Sequence, residues 1–277
     1  MTSLPRSYLF VPGDRPERFA KALASGADAV VVDLEDAVAP AAKSAARAHV
    51  AQWLAGERER ERVLVRINDE NTPWFAADVA MLAASRAPAV MLPKAENVLV
   101  LADLRDACPG IALLPLVESA RGLLAAQALA AATGVQRLVF GTIDYALDLD
   151  LGEVVGLPHP ALDHGAAQLA LASRAAGIAS PVAGVTAAIG DEVQLLADLA
   201  RARLHGFGAK LCIHPLQIAT VHDALMPALA ELEWARRVLQ AAAAAHAAGQ
   251  GAVQLDGRMI DKPVIERAHR IVERAAR

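Results

Sequence analysis

Residues 30–38 read VVVDLEDAV, an apolar run that passes directly into the carboxylates Asp33, Glu35 and Asp36. Three consecutive valines are typical of a buried strand, because β-branched side chains suit a pleated surface that is covered on both faces. The acids that follow belong to a solvated turn, to a metal site or to a larger acidic pocket. The neighbouring sequence has to decide between these interpretations.

Seven other runs of this kind occur along the chain, and the eight in order are SYLFVPG, ADAVVVDLED, RVLVRIN, APAVMLPKAE, IALLPLVES, QRLVFGTID, PVAGVT and AKLCIHP. Segments of helical period lie between them, at residues 15–25, 41–56, 74–85, 98–108, 121–133, 160–177 and 191–205. Strands that alternate with helices pair in parallel through right-handed crossovers. Eight such units in 277 residues predict an α/β fold, a TIM (β/α)8 barrel, which typically takes about 250 residues. A doubly wound open sheet is the alternative.

Residues 222–277 do not fit this repeat. A long helical segment is expected over residues 222–248, followed by the Gly-rich break GQGAVQLDGR and a final helix in MIDKPVIERAHRIVERAAR. Asp261 suits the N-cap of that helix, and Pro263 suits its first turn. Because no linker is evident, we interpret residues 1–221 as the barrel catalytic domain and residues 222–277 as its C-terminal helical extension.

Composition argues against several classes of protein. The net charge is −4 with acids and bases interspersed, so no basic face is expected for nucleic acid. We find no secretory signal and no run of 18 apolar residues that would cross a membrane. Two cysteines, Cys108 and Cys212, do not make a disulfide framework and favour a reducing compartment. These features predict a soluble protein of the cytoplasm.

Polar residues of the eight runs cluster where the strands end. In a barrel these ends meet at one rim, where the active site lies. Most of these residues alone have an ordinary interpretation as a turn residue, a first-turn helix acid or a packing histidine, whereas a buried Arg66 would need a carboxylate or phosphate partner. Their convergence favours an active site. The residues are Asp33, Glu35, Asp36, Arg66, Asn68, Lys94, Glu118, Asp144 and His214.

Glu118 and Asp144, at the ends of adjacent predicted strands, suggest a metal site. Two carboxylates together with water and substrate oxygens suit Mg²⁺, which retains several waters in an octahedral shell. Zinc is disfavoured, because no cluster of His and Cys has ligand spacing. Neither a P-loop nor a dinucleotide-binding GxGxxG motif follows any of the strands.

Several motifs, in order along nearly the whole chain, resemble the citrate lyase β-subunit-like family of the HpcH/HpaI aldolase superfamily. They are RSYLFVPGDRPERFAKAL, DLEDAVAPAAKSAAR, RINDENTPWFAAD, LPKAE, LVESARG, FGTIDYALDLDLG and GFGAKLCIHPLQI. Among members of that family, the chain is most similar in appearance to free-standing citramalyl-CoA lyases. The resemblance implies a homotrimer whose C-terminal extension contributes to the oligomer and to a neighbouring active site.

The resemblance also implies roles for individual residues. Glu118 and Asp144 match the Mg²⁺ ligands of the family, and Arg66 matches an arginine that reaches the substrate carboxylate or the developing enolate. Asp36 matches an acid that supports the water shell of the metal. Asp261 resembles a C-terminal aspartate that enters the active site of the neighbouring subunit, where it would be the proton donor or acceptor.

Positions in the first motif match family contacts to coenzyme A, namely Phe10, Arg15 and Lys21. The chain departs from the family pattern in the seventh run. Members often carry an acid where Ala183 stands and another near Ala188. These departures bear on the choice of substrate and not on the metal pair.

The function implied is a Mg²⁺-dependent carbon–carbon lyase that cleaves a 3-hydroxyacyl-CoA, with (S)-citramalyl-CoA as the leading substrate and acetyl-CoA and pyruvate as products. Malyl-CoA or β-methylmalyl-CoA, which release glyoxylate, is the second candidate. A citryl thioester is the third. A non-catalytic CoA-thioester-binding protein and a CoA-free pyruvate aldolase are alternatives of other classes.

Asp33 and Glu35 are expected to partner rim cations such as Arg66 or Arg6.

Overall fold

The computed structural model describes residues 4–152, 159–247 and 253–275. Eight parallel strands close into a barrel in sequential order. This closed barrel confirms the predicted fold and excludes the open sheet. The strands are β1 (Ser7–Pro12), β2 (Ala29–Asp33), β3 (Val63–Arg66), β4 (Ala89–Leu92), β5 (Ala112–Val117), β6 (Val139–Phe140), β7 (Val182–Ala183) and β8 (Ala209–Cys212).

Helices alternate with these strands and continue after the last of them. The first eight are α1 (Phe19–Leu23), α2 (Lys43–Gly56), α3 (Phe75–Ser85), α4 (Val98–Ala107), α5 (Ala120–Ala131), α6 (Thr142–Asp148), α7 (Pro160–Ala175) and α8 (Glu192–Leu204). The last three are α9 (Gln217–Leu225), α10 (Leu229–Ala247) and α11 (Lys262–Ala275). Most predicted helices agree within a few residues, but α6 is additional.

Two details of the C-terminal sequence were predicted wrongly. The helical segment expected over residues 222–248 is interrupted between α9 and α10, where Pro227 lacks the N–H that a continuous helix needs. An antiparallel hairpin of β9 (Val253–Leu255) and β10 (Arg258–Ile260) spans the second half of the Gly-rich break and the start of the MIDKP segment. Asp256 and Gly257 turn this hairpin with φ of 52° and 74°, the left-handed region that an Asp-Gly turn uses.

The chain divides into two compact units, Pro5–His222 and Asp223–Arg277 together with Met1–Leu4. The first unit is the barrel. The second packs α10, α11 and the hairpin around a small core of Ala235, Val238, Ile260, Ala268 and Ile271. Among the described residues, no helix has the length and apolar character needed to cross a membrane.

Alternation along the strands determines which side chains fill the barrel. The interior is packed with residues at every second position, including Val31, Leu64 and Leu116. Asp33, Arg66 and Glu118 each lie two positions after one of these interior residues. The polar residues therefore continue the inward-facing series, and they cap the apolar interior at the C-terminal end of the strands.

Candidate active site

Arg66, the last residue of β3, lies at the centre of the charged rim. Its Nε and Nη2 atoms each donate a 2.7 Å hydrogen bond to the carboxylate of Asp33, the last residue of β2. Asp33 and Arg66 are register partners on adjacent strands, which brings their side chains together. Burial alone would lower the pKa of the guanidinium, but Asp33 raises it above its ordinary value, so Arg66 is a permanent cation.

Glu35 is a buried carboxylate beside the same cation. Arg66 Nη1 lies 2.9 Å from Oε2 of Glu35 and 3.7 Å from Oδ2 of Asp36. The Glu35 contact lacks hydrogen-bond geometry, and both Glu35 oxygens are buried without a hydrogen-bond partner in the described part of the chain. Burial raises the pKa of Glu35 to about 8, and the charge of Arg66 opposes this shift.

The loop after β2 is fixed by a lysine from the following helix. Lys43, the first residue of α2, is buried and donates from Nζ to the carbonyl oxygens of Leu34 and Glu35 at 2.8 and 2.9 Å. Asp33 completes the loop by accepting hydrogen bonds from the backbone N–H groups of Glu35 and Ala37. Glu35 is therefore held towards the barrel mouth by its own backbone.

A second buried acid fixes the end of β3. Asp78, in α3, accepts from the backbone N–H and the side-chain Nδ2 of Asn68 at 2.9 and 2.6 Å. Arg47 donates to the other oxygen of Asp78 at 2.8 Å. Asn68, which was predicted to lie on the rim, thus anchors the loop that follows Arg66.

Glu118, which directly follows β5, is held by the backbone of its neighbour. The N–H of Lys94 donates to Oε1 of Glu118 at 2.7 Å, and Lys94 adopts a φ of 45° that presents this N–H. A methyl group placed on Gly141 would lie 2.5 Å from Oε2 of Glu118. The Glu118 carboxylate therefore fits only because residue 141 has no side chain. Burial raises the pKa of Glu118 to about 7, although the Lys94 hydrogen bond lowers it.

Asp144 occupies the first turn of α6, the helix that directly follows β6. Its charge contributes to the raised pKa of Glu118, as expected of two carboxylates close enough to repel one another. The described residues contain no group of three or more His, Cys, Asp or Glu positioned to hold a metal. A pair of acids that repel one another suits Mg²⁺, since this ion retains waters and offsets their charge.

Other predicted site residues fall in different surroundings. Phe10, in β1, lies beneath the guanidinium of Arg66 with its ring centroid 4.9 Å from Cζ. Arg15 and Lys21 are exposed on the segment after β1. Asp36 is 70% exposed, so the structure does not bring it into the buried cluster, whereas its neighbour Glu35 lies inside.

Asp261 belongs to the C-terminal unit. It caps α11 there, with Oδ1 accepting from the N–H of Val264 at 3.1 Å, which confirms the predicted N-cap. The expectation that Arg6 pairs with the rim acids is wrong. Arg6 precedes β1 and binds Asp28 at the opposite end of the strands, at 3.0 Å.

Two positioning residues escaped the sequence interpretation. Gly141 carried a signal, because a glycine between a strand and an acid marks a close approach of backbone and side chain. Lys43 carried no local signal, since its partners are the carbonyl groups of a loop about eight residues earlier.

A family model described as HpcH/HpaI aldolase/citrate lyase matches residues 6–215. The chain belongs to this family. A citrate lyase subunit beta-like protein of Deinococcus radiodurans is 35% identical over 99% of this chain and 98% of its own length. A (3S)-malyl-CoA thioesterase of Cereibacter sphaeroides is 34% identical, over 98% of this chain and 94% of its own.

The barrel and extension also match a solved structure, that of CitE from Mycobacterium tuberculosis in complex with magnesium, acetoacetate and coenzyme A. The TM-score is 0.86 at 36% identity, and the match covers 100% of both chains. Family membership confirms the resemblance seen in the motifs and the prediction of a carbon–carbon lyase. The magnesium of the CitE complex is the metal that the motifs implied for this chain, and its coenzyme A is the carrier of the implied thioester substrate.

Proposed function

We propose that the protein is a Mg²⁺-dependent lyase that cleaves a 3-hydroxyacyl-CoA, with (S)-citramalyl-CoA as its leading substrate. The observation that carries the proposal is the arrangement at the barrel mouth. A permanently charged guanidinium, Arg66, lies beside two buried acids with raised pKa values, Glu35 and Glu118. Such a mouth suits a reaction in which negative charge develops on substrate oxygens.

The proposed cleavage breaks the bond between C2 and C3 of the acyl chain. The C3 hydroxyl loses its proton, the electrons of the broken bond form the enolate of acetyl-CoA, and pyruvate leaves. The enolate then takes a proton at C2. When bound, Mg²⁺ supplies Lewis-acid stabilisation of the substrate oxygens, with Glu118 and Asp144 as its protein ligands.

Arg66 is suited to stabilise the enolate. Two of its five N–H donors are hydrogen-bonded to Asp33, which fixes the plane of the guanidinium. The remaining donors are proposed to bind substrate oxygens. Because the guanidinium is already oriented, its positive charge acts without reorganisation during the reaction.

Asp261 is the proposed proton donor or acceptor, supplied by the C-terminal unit of a neighbouring subunit in a homotrimer. Support comes from its place at an exposed helix N-terminus and from the motif MIDKP. Inactive Asp261→Ala and Glu118→Ala subunits, mixed and reassembled, are expected to recover part of the activity if the site is shared. Absence of recovery in mixed oligomers verified by mass spectrometry contradicts the sharing.

Phe10, Arg15 and Lys21 are the proposed contacts to coenzyme A. The exposed Arg15, on the connection after β1, and Lys21, in α1, provide cations for its phosphates. Isothermal titration with acetyl-CoA tests this assignment, with weaker binding expected for a double Ala variant of the two cations. No binding of acetyl-CoA to the parent protein favours the CoA-free pyruvate aldolase instead.

The decisive experiment is a Mg²⁺-dependent cleavage assay on citramalyl-CoA, malyl-CoA and β-methylmalyl-CoA that identifies the oxo acid released. Pyruvate from citramalyl-CoA supports the leading proposal, and glyoxylate from either of the others supports the second candidate. Discrimination by one methyl group amounts to about 1–3 kcal/mol, so all three need quantitative kcat/KM values. Binding of acetyl-CoA without turnover of any of them indicates a non-catalytic binding protein.

Thioester hydrolysis is an alternative reaction to carbon–carbon cleavage, and the similarity to a (3S)-malyl-CoA thioesterase favours considering it. Hydrolysis of malyl-CoA releases free coenzyme A and malate, whereas cleavage releases acetyl-CoA and glyoxylate. A thiol reagent therefore distinguishes the two reactions on the same substrate, because it detects free coenzyme A and not its thioester.

A further inference from the structure

A cavity of about 130 Å³ lies on the outer side of the barrel wall, lined by residues of β6, β7, β8, α6, α7 and α8 and of the segments next to them. A single water needs only about 10–15 Å³ of such space, so the cavity holds more than one water-sized group. Most of its walls are apolar, and they are formed by Phe140, Leu162, Ala166, Val185, Ala202 and Phe207. A ligand of several non-hydrogen atoms with an apolar part can therefore fit.

Lys210 is the buried cation of this cavity. Ala209 and Leu211 face the barrel interior, so Lys210 between them faces outward, and the residue is only 2% exposed. Its Nζ donates to the carbonyl oxygen of Gly184 at 2.6 Å, and this is its one hydrogen bond among the described residues. An ammonium group has three donors, so two remain to be satisfied.

The strand beside Lys210 offers no carboxylate. Ala183 is the register partner of Lys210 on β7, and both residues line the cavity. A methyl group therefore stands at the position on the adjacent strand from which an acidic side chain would extend towards Lys210. Burial without an ion pair lowers the pKa of Lys210 and makes an external anion favourable.

The first acid of the cavity, Asp163, is engaged elsewhere. Arg201 donates to its two oxygens at 2.7 and 2.9 Å, and the Nε2 atom of His205 lies 2.8 Å from Oδ1. The hydrogen bond from Arg201 is the main reason that the pKa of Asp163 falls to about 2. Asp163 therefore neutralises Arg201 and forms no ion pair with Lys210.

The second acid, Asp198, is also engaged. One of its oxygens accepts from the hydroxyl of Thr186 at 2.6 Å, and the other accepts from Nε2 of Gln194 at 2.8 Å. Its charge acts on Lys210 through space, but no hydrogen bond joins the two side chains. These two acids disfavour a ligand with more than one negative charge.

We propose that this cavity binds a small monocarboxylate with a short apolar chain. The carboxylate accepts hydrogen bonds from the two remaining donors of Lys210, and the chain lies against the apolar walls. A charge-assisted hydrogen bond of this kind is the strong type found in recognition sites. Arg201, Asp163 and His205 are partly exposed, so the ligand enters past them.

The test measures the binding of propionate to the full-length protein by isothermal titration. Propionamide, a neutral molecule of the same shape, is the comparison ligand. Propionate is expected to bind at least about tenfold more tightly, the equivalent of one charge-assisted hydrogen bond. Ala183→Asp places a carboxylate beside Lys210 and is expected to weaken propionate binding by a similar factor. Ala200→Asp, an exposed site on α8, makes the same change of charge and should leave the affinity unchanged.

Ala202→Leu provides a second variant that fills the cavity without adding charge, and it too should weaken binding. Circular dichroism confirms that each variant is folded before titration. The proposal is overturned if propionate does not bind the parent protein, if propionamide binds equally well, or if folded Ala183→Asp and Ala202→Leu both bind propionate as the parent does.

Discussion

Arg66 and Lys210 are both cations buried against the barrel strands, but their surroundings are opposite. Arg66 faces inward and contacts the carboxylates of Asp33 and Glu35. Lys210 faces outward and is bound by the carbonyl of Gly184. The barrel mouth therefore has acids in excess and suits a cation such as Mg²⁺, whereas Lys210 of the outer cavity has no ion pair among the described residues, which supports the proposed anion site.

Removal of each cation gives the largest expected difference between the two regions. Arg66→Met leaves buried carboxylates without their partner, which costs about 3–5 kcal/mol of unfolding free energy. Lys210→Met leaves behind one carbonyl oxygen, so its cost should stay near about 1 kcal/mol. Urea unfolding of both variants in Mg²⁺-free buffer measures the difference, and equal losses would contradict the electrostatic contrast.

Glu118→Gln tests whether the acids of the mouth serve the reaction. The amide keeps the shape of the side chain but removes the negative charge proposed for Mg²⁺, so we expect a loss of turnover of at least about 100-fold. Glu266→Gln, on the exposed face of α11, serves as the matched control. Near-full Mg²⁺-dependent activity in Glu118→Gln would show that the metal assignment is wrong.

Gly141→Ala perturbs the same acid without changing any charge. The added methyl group would lie 2.6 Å from Cβ of Glu118, so this side chain must shift. A displacement on the order of 1 Å is expected to reduce turnover and Mg²⁺ affinity by roughly tenfold. Gly56→Ala is the control, because nothing lies within 4 Å of its added methyl group. If the two variants behave alike, close approach at Gly141 does not position Glu118.

The sequence predicted the barrel because its signals are local. Each strand is a short apolar run, and each run ends in the polar residues that the closed sheet brings to one rim. The Arg66 pairing with Asp33 also followed from the pattern, since a buried arginine needs an acid. The hairpin of β9 and β10 was not predicted. Its Asp256-Gly257 pair is typical of a hairpin turn, but its strands are only three residues long and form no apolar run in the sequence.

The contrast between Glu35 and Asp36 was beyond sequence reasoning. Both acids follow β2, and the motif favoured Asp36 as the residue near the metal. The loop geometry set by Lys43 and Asp33 turns Glu35 inward and leaves Asp36 exposed. Long-range contacts decide that orientation. The outer cavity could not be predicted from the sequence either, because it depends on which hydrogen-bond acceptors on β7 and β8 lie near the Lys210 ammonium group.

The pH dependence of stability tests the excess of acid at the mouth. Glu35 has an ordinary pKa of 4.5, which burial raises to about 8 in the folded protein. Between these values the folded state retains a proton that the unfolded state has lost, so this group lowers the free energy of unfolding as pH rises through the window. Glu35→Gln removes that titration. In Mg²⁺-free buffer the variant should gain stability relative to the parent from pH 4.5 towards 8, whereas Glu266→Gln should not. A difference between Glu35→Gln and the parent that stays constant across this window would mean that Glu35 ionises normally and that Arg66 balances its charge.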